Sequence, residues 1–88
     1  MTYYERAAKL MEAEVGDDLV ALDPEAGTCF GFNSVAASVW RLLEDRKSFE
    51  QLEAELAAEY DVDSAQCRTD LEELLDSMVA QGLVRTVS

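Results

Sequence analysis

The chain has 88 residues, 49% of them hydrophobic, with 19 acidic against 7 basic side chains, no histidine and a formal net charge of -12. One domain spanning residues 1–88, with a modest core, suits that length, and the apolar fraction excludes a disordered chain. The charge balance excludes general DNA or RNA binding, which needs Lys and Arg to displace counterions from phosphates, and the missing histidine removes the commonest general base and metal ligand.

The first third reads as strands. Met11, Ala13 and Val15 alternate with Glu12 and Glu14, a period of two with one apolar face. Gly16-Asp17-Asp18 supplies turn residues, and Leu19-Val20-Ala21-Leu22 is a short apolar run. In Asp23-Pro24-Glu25-Ala26-Gly27, proline presets φ for a turn and glycine can take the left-handed position that closes a hairpin. Thr28-Cys29-Phe30-Gly31-Phe32 then forms a third strand, predicting a three-stranded antiparallel meander in sequence order.

The remainder reads as three helices. Asn33 or Ser34 caps the first, whose apolar face holds Val35, Ala36, Val39, Trp40, Leu42 and Leu43. Glu44 to Lys47 is a polar connection. Ser48 with Gln51 is a capping-box pattern ahead of Phe49, Leu52 and Leu56, and Asp63 with Gln66 repeats that signature. The third helix spaces Cys67, Leu71, Leu74, Leu75, Met78 and Val79 by threes and fours, with Gly82 as its cap. Leu83 to Val87 adds a short strand or trails away. The predicted fold class is therefore α+β, a three-stranded antiparallel sheet followed by three helices; the helix spacing resembles a winged helix-turn-helix.

No catalytic constellation is legible, and no cofactor or metal is expected. Without histidine there is no Cys-His or Ser-His pair. Cys29 and Cys67 lack a CxxC neighbour and read as small hydrophobes rather than zinc or redox ligands. Glycines at 16, 27, 31 and 82 do not make a phosphate loop. The acids of the second and third helices read as solvated faces and lack the loop spacing of calcium sites. The longest apolar stretches, such as Val35 to Trp40, fall far short of the roughly 20 residues that cross a bilayer. The opening MTYYERAAKLMEAE has charges where a signal peptide needs an apolar run, so a cytoplasmic location with reduced thiols is expected.

Binding is better supported. The first and third strands of a meander are both edges with unpaired N–H and C=O groups. The first is guarded by Glu12, Glu14 and Lys9. The third, Thr28 to Phe32, carries no charge and no proline, which invites a partner strand by β-augmentation. The alternative is that Leu83 to Val87, or a second copy of the chain, covers this edge. Proline at Phe30 or Gly31 is expected to remove an edge donor and abolish docking.

The run LVALDPEAGTCFGFNSVAASVWRLLE resembles the PqqD-like proteins, the precursor peptide recognition elements of ribosomally made natural products. The residues that carry the likeness are Asp23-Pro24-Glu25, Gly27, Phe30, Phe32, Asn33 and Trp40. It continues through Leu52, Leu56, Tyr60 and Val62 and ends with Asp70, Leu74, Leu75 and Gly82-Leu83. What the resemblance implies is a winged-helix-like fold that binds the leader region of a precursor peptide as an added strand. The bound peptide is then presented to a separate modifying enzyme or leader peptidase in trans. Carried over, Thr28, Cys29, Phe30, Gly31 and Phe32 pair with the leader, while Arg68, Leu71, Glu72, Leu75 and Asp76 face it from the third helix. Leu71 and Leu75 serve as pockets or as plain core. Glu44-Asp45-Arg46-Lys47 stands where pyrroloquinoline quinone proteins usually have a glycine, while the run from Gly27 to Asn33 and the Trp40 helix look more like the stand-alone elements of lasso-peptide clusters. Two other classes compete: a non-catalytic bridging module, as homodimer or enzyme subunit, and a winged-helix DNA reader, for which Arg68 alone amid acids is poor equipment.

Overall fold

The computed structural model describes residues 2–60 and 63–87; Val62 of the sequence pattern lies outside them. Strands β2 (Met11–Val15), β3 (Asp18–Asp23) and β4 (Thr28–Phe32) form an antiparallel meander in sequence order. Gly16 at φ 63 followed by Asp17, whose φ is not positive, closes β2–β3 in the pattern of a type II′ turn. In the second hairpin the Asp23 carboxylate accepts from the N–H groups of Glu25 (3.0 Å) and Ala26 (3.2 Å). Gly27, at φ 70, donates to the Asp23 carbonyl at 2.8 Å.

The register decides which face of β2 meets the core. Met11, Ala13 and Val15 stand opposite Leu22, Val20 and Asp18, whereas Glu12 and Glu14 stand opposite Ala21 and Leu19. Directly opposed residues share a face, and Leu19 and Ala21 are the buried ones. The apolar set of β2 therefore faces solvent, with Met11 64% and Val15 61% exposed. The glutamates lie on the core side at the sheet margin, where arginines meet them: Arg41 reaches Glu14 at 2.9 Å and Arg6 reaches Glu12 at 3.7 Å.

Helix α1 (Ser34–Leu42) is capped by Asn33, whose Oδ1 accepts from the Ala36 N–H at 2.9 Å. Its buried side carries Ala36, Ala37, Val39 and Trp40; Val35 is turned away from them and stays exposed. Helix α2 (Phe49–Glu59) has the full reciprocal capping box between Ser48 and Gln51. At α3 (Ser64–Ala80) only half of that signature forms. Asp63 caps Ala65 and Gln66, while the Gln66 side chain bonds Asp70 instead. Past its end, Leu83 donates to the Met78 carbonyl (2.9 Å) and Gly82, at φ 76, to that of Val79 (3.0 Å). This is a Schellman closure with the buried Met78 and Leu83 as its apolar pair. Val79, expected on the apolar face, is 38% exposed.

A second sheet is absent from the sequence reading. Strand β1 (Tyr3–Arg6) lies between β5 (Lys47–Ser48) and β6 (Val84–Val87), antiparallel to both. The C-terminal segment is thus a strand, and its partner is β1, not β4. Arg6 ties this sheet to the core. Its guanidinium stacks 4.4 Å from the Trp40 ring and donates to the Trp40 carbonyl at 2.6 and 3.1 Å. Leu19, Phe32, Val39, Trp40, Leu43, Leu52, Leu71, Leu75, Met78 and Leu83 make one core between the meander and the helices.

Glu5 links three segments, accepting from Arg85 (2.8 Å) and Arg46 (3.0 Å). The Arg85 hydrogen bond, more than any other influence, holds the Glu5 carboxyl below its ordinary value of 4.5. A carboxyl lowered on folding contributes stability above its unfolded pKa and loses it as pH falls through the folded one. Glu5→Gln is expected to lower the unfolding midpoint at pH 7, with the gap to wild type closing below pH 4.5. A chemical-denaturation series against pH measures it, and a gap constant with pH would refute the assignment.

Candidate functional site

The β2–β3 turn fixes which way each strand bonds. In a two-residue hairpin the closing pair, Val15 and Asp18, exchanges its hydrogen bonds. Alternation then turns Leu19, Ala21 and Asp23 toward β4, where they meet Phe32, Phe30 and Thr28. Cys29 and Gly31 are left with N–H and C=O groups directed at the outer edge of β4. Among the described residues no strand pairs with that edge. The expectation of donors at both Phe30 and Gly31 is therefore corrected: Gly31 faces the edge, and Phe30 bonds inward to β3.

Beside this edge runs a groove of about 350 Å³ between β4 and α3. Its strand wall is Cys29 to Phe32, and its helix wall is Leu74, Ser77, Met78 and Gln81, with Asn33 and Ala36 at the start of α1. No lining residue carries a formal charge, in a chain whose charged side chains make up 30% of the sequence. Phe32 packs against Trp40 with ring centroids 5.8 Å apart, so the groove wall is anchored directly in the core. The arrangement offers main-chain donors and acceptors on one side and an uncharged trough of mixed apolar and polar side chains on the other, which suits an extended peptide.

The profile of coenzyme PQQ synthesis protein D (PqqD) matches residues 18–84. The chain belongs to the PqqD family. No curated protein sequence matches this PqqD-family chain. Among solved structures it is similar to TbiB1 in complex with the TbiA(beta) leader peptide, with TM-score 0.78 and 30% identity over 92% of this chain and 94% of that one. A lasso peptide synthetase B1 complexed with the leader peptide shares the fold, with TM-score 0.74 and 24% identity over 93% and 96% of the two chains.

In the PqqD-family chain the ten residues singled out from the sequence fall in three places. Thr28, Cys29, Phe30, Gly31 and Phe32 form β4. Leu71 and Leu75 are 1% and 0% exposed and pack in the core, so the plain-core alternative describes them. Arg68, Glu72 and Asp76 line a separate depression of about 430 Å³ with Thr2, Tyr4, Phe49 and Glu50. There Arg68 lies 5.3 Å from the Phe49 ring and pairs with Glu53 (3.6 Å) and Glu72 (3.8 Å). Burial, then the nearby Asp76, Glu72 and Glu50, pushes the Tyr4 hydroxyl above its ordinary value, which marks this depression as acidic.

The groove side of α3 was missed because 71, 75 and 78 make one stripe and 74, 77, 78 and 81 make the next, both at helical spacing. A signal was present: Arg68, Asp70, Glu72, Glu73 and Asp76 crowd the exposed side of α3, while 77 and 81 carry only a hydroxyl and an amide. Cys29 is exposed at the edge and Cys67 is buried. Burial raises the Cys67 thiol, which stays protonated at neutral pH. Among the described residues no group of three or more His, Cys, Asp or Glu side chains is arranged to hold a metal ion. No described helix is long and apolar enough to cross a membrane.

Proposed function

We propose that this chain is a single peptide-recognition domain, residues 1–88, that binds the leader region of a ribosomally made precursor peptide. The leader adds as a fourth strand on β4, lies in the groove beside α3, and is presented to a separate modifying enzyme or leader peptidase. The protein itself catalyses nothing and acts in the cytoplasm, where such precursors are synthesised. The observation that carries the reading is the free, uncharged β4 edge next to an uncharged groove. Its support from similar proteins is TbiB1, solved with a leader peptide bound; the leaning toward a lasso-peptide pathway comes from the sequence resemblance. On the helical side the reading assigns the contact to Leu74, Ser77, Met78 and Gln81.

The test is a titration with a synthetic leader from a precursor gene neighbouring this one, with a random DNA duplex as control. Binding at or below the low-micromolar range with no DNA signal is expected. Bound leader should also slow hydrogen exchange at the Cys29 and Gly31 amides, whose N–H groups face the edge. Unslowed exchange at both in the saturated complex would refute docking on β4. A DNA reader is disfavoured further because Arg68, the one base of α3, is already engaged by Glu53 and Glu72.

One observation favours a second, compatible role as a bridging module: Met11, Val15 and Val20 leave the outward face of the meander apolar and exposed. Two copies at -12 each repel, so an enzyme subunit fits that face better than a homodimer. A concentration series in sizing chromatography is expected to give a monomer; a dimer persisting at low micromolar concentration would reverse that preference.

A further inference from the structure

Within the uncharged groove the helix wall presents one exposed polar pair. Gln81 Nε2 donates to Ser77 Oγ at 3.0 Å, one turn apart on α3, and both side chains are exposed. Asn33, the other polar side chain of the lining, has its amide oxygen committed to the α1 cap. The remaining side chains are apolar: Phe30, Phe32, Leu74, Met78 and their neighbours.

After that internal bond the pair still offers the Ser77 hydroxyl hydrogen as a donor and the Gln81 amide oxygen as an acceptor. We propose that Ser77 and Gln81 read one residue of the docked peptide, selecting a neutral side chain that both donates and accepts, such as Ser, Thr, Asn or Gln. This rests on the peptide-docking reading above and sharpens it. A strand laid on β4 covers the pair and removes its water. An aliphatic residue there leaves donor and acceptor unmatched, whereas a hydroxyl or carboxamide replaces the lost water. A carboxylate or ammonium fares worse, because the groove lining holds no opposite charge. Discrimination of about ten- to a hundredfold against an isosteric aliphatic residue is expected.

The probe is a displayed library of randomised ten-residue peptides, selected in parallel on wild type, on Ser77→Ala/Gln81→Leu and on Gln81→Glu. All three proteins are checked by circular dichroism, and the exposed positions should leave the fold intact. Wild type should enrich Ser, Thr, Asn or Gln at one position of a common motif. The double variant should enrich aliphatic residues at that position alone, and Gln81→Glu should enrich Lys or Arg there. A common motif without a polar position, or one unchanged in both variants, overturns the role of Ser77 and Gln81 while leaving peptide docking in place. Failure of all three proteins to enrich any motif overturns both.

Discussion

Gly31→Pro is expected to weaken leader binding on the order of 30- to 1,000-fold while the protein stays folded. The ring removes one edge N–H and leaves the facing leader carbonyl unmatched, together worth about 2–4 kcal/mol. The ladder to β3 survives because Gly31 bonds outward, and proline is tolerated at such positions of edge strands. Two companions sharpen the result. Phe30→Pro removes a donor from the β3–β4 ladder itself and should destabilise the fold. Gly31→Ala meets no atom within 4 Å of its added Cβ and should leave fold and affinity close to wild type. The measurements are a peptide titration and a denaturation curve for each variant. Unchanged affinity in folded Gly31→Pro would eliminate strand addition on this edge.

The adjacent leucines of α3 should separate stability from binding. Leu75 is fully buried, and its truncation to alanine should cost about 2–5 kcal/mol. For 88 residues the whole folding free energy is about 4–13 kcal/mol, so Leu75→Ala should give up a large share of it and unfold at a clearly lower denaturant concentration. Leu74 is only half-buried and lines the groove. Leu74→Ala should unfold close to wild type yet lose about 1–2 kcal/mol of peptide contact, roughly five- to thirtyfold in Kd. Equal binding losses per folded molecule at both positions would mean that the groove has been drawn on the wrong stripe of α3.

The contrast between these two residues shows what the sequence could convey. Periodicity located all three helices and the meander, because buried faces recur every two or 3.6 residues. The caps at Asn33 and Ser48 and the closure at Gly82 were legible from local side-chain chemistry alone. Choosing which of two neighbouring α3 stripes faces β4 needed the rotation of the helix about its axis, and that is set by its packing against α2 and β6. In β2 the alternation was real, but it could not tell that the apolar set faces outward. Arg6 and Arg41 draw Glu12 and Glu14 to the core side, a contact between residues as far as 27 apart that no local pattern contains. The second sheet escaped for the same reason, since β1 and β5 are short and acquire their strand character from partners distant in sequence.

The pairing of β1 with β6 sets Tyr3 opposite Val87, so two residues at far ends of the numbering lie about 5 Å apart. Closing that ladder during folding spans nearly the whole chain and carries the largest loop entropy in the molecule. A circular permutant that joins the two ends by a short linker and opens at the exposed Glu44–Asp45 connection would convert the ladder into a hairpin. Only the thinner contact of α1 with α2 becomes long-range in exchange, so contact order falls and folding should accelerate. The β4 edge and its groove would be carried through unchanged.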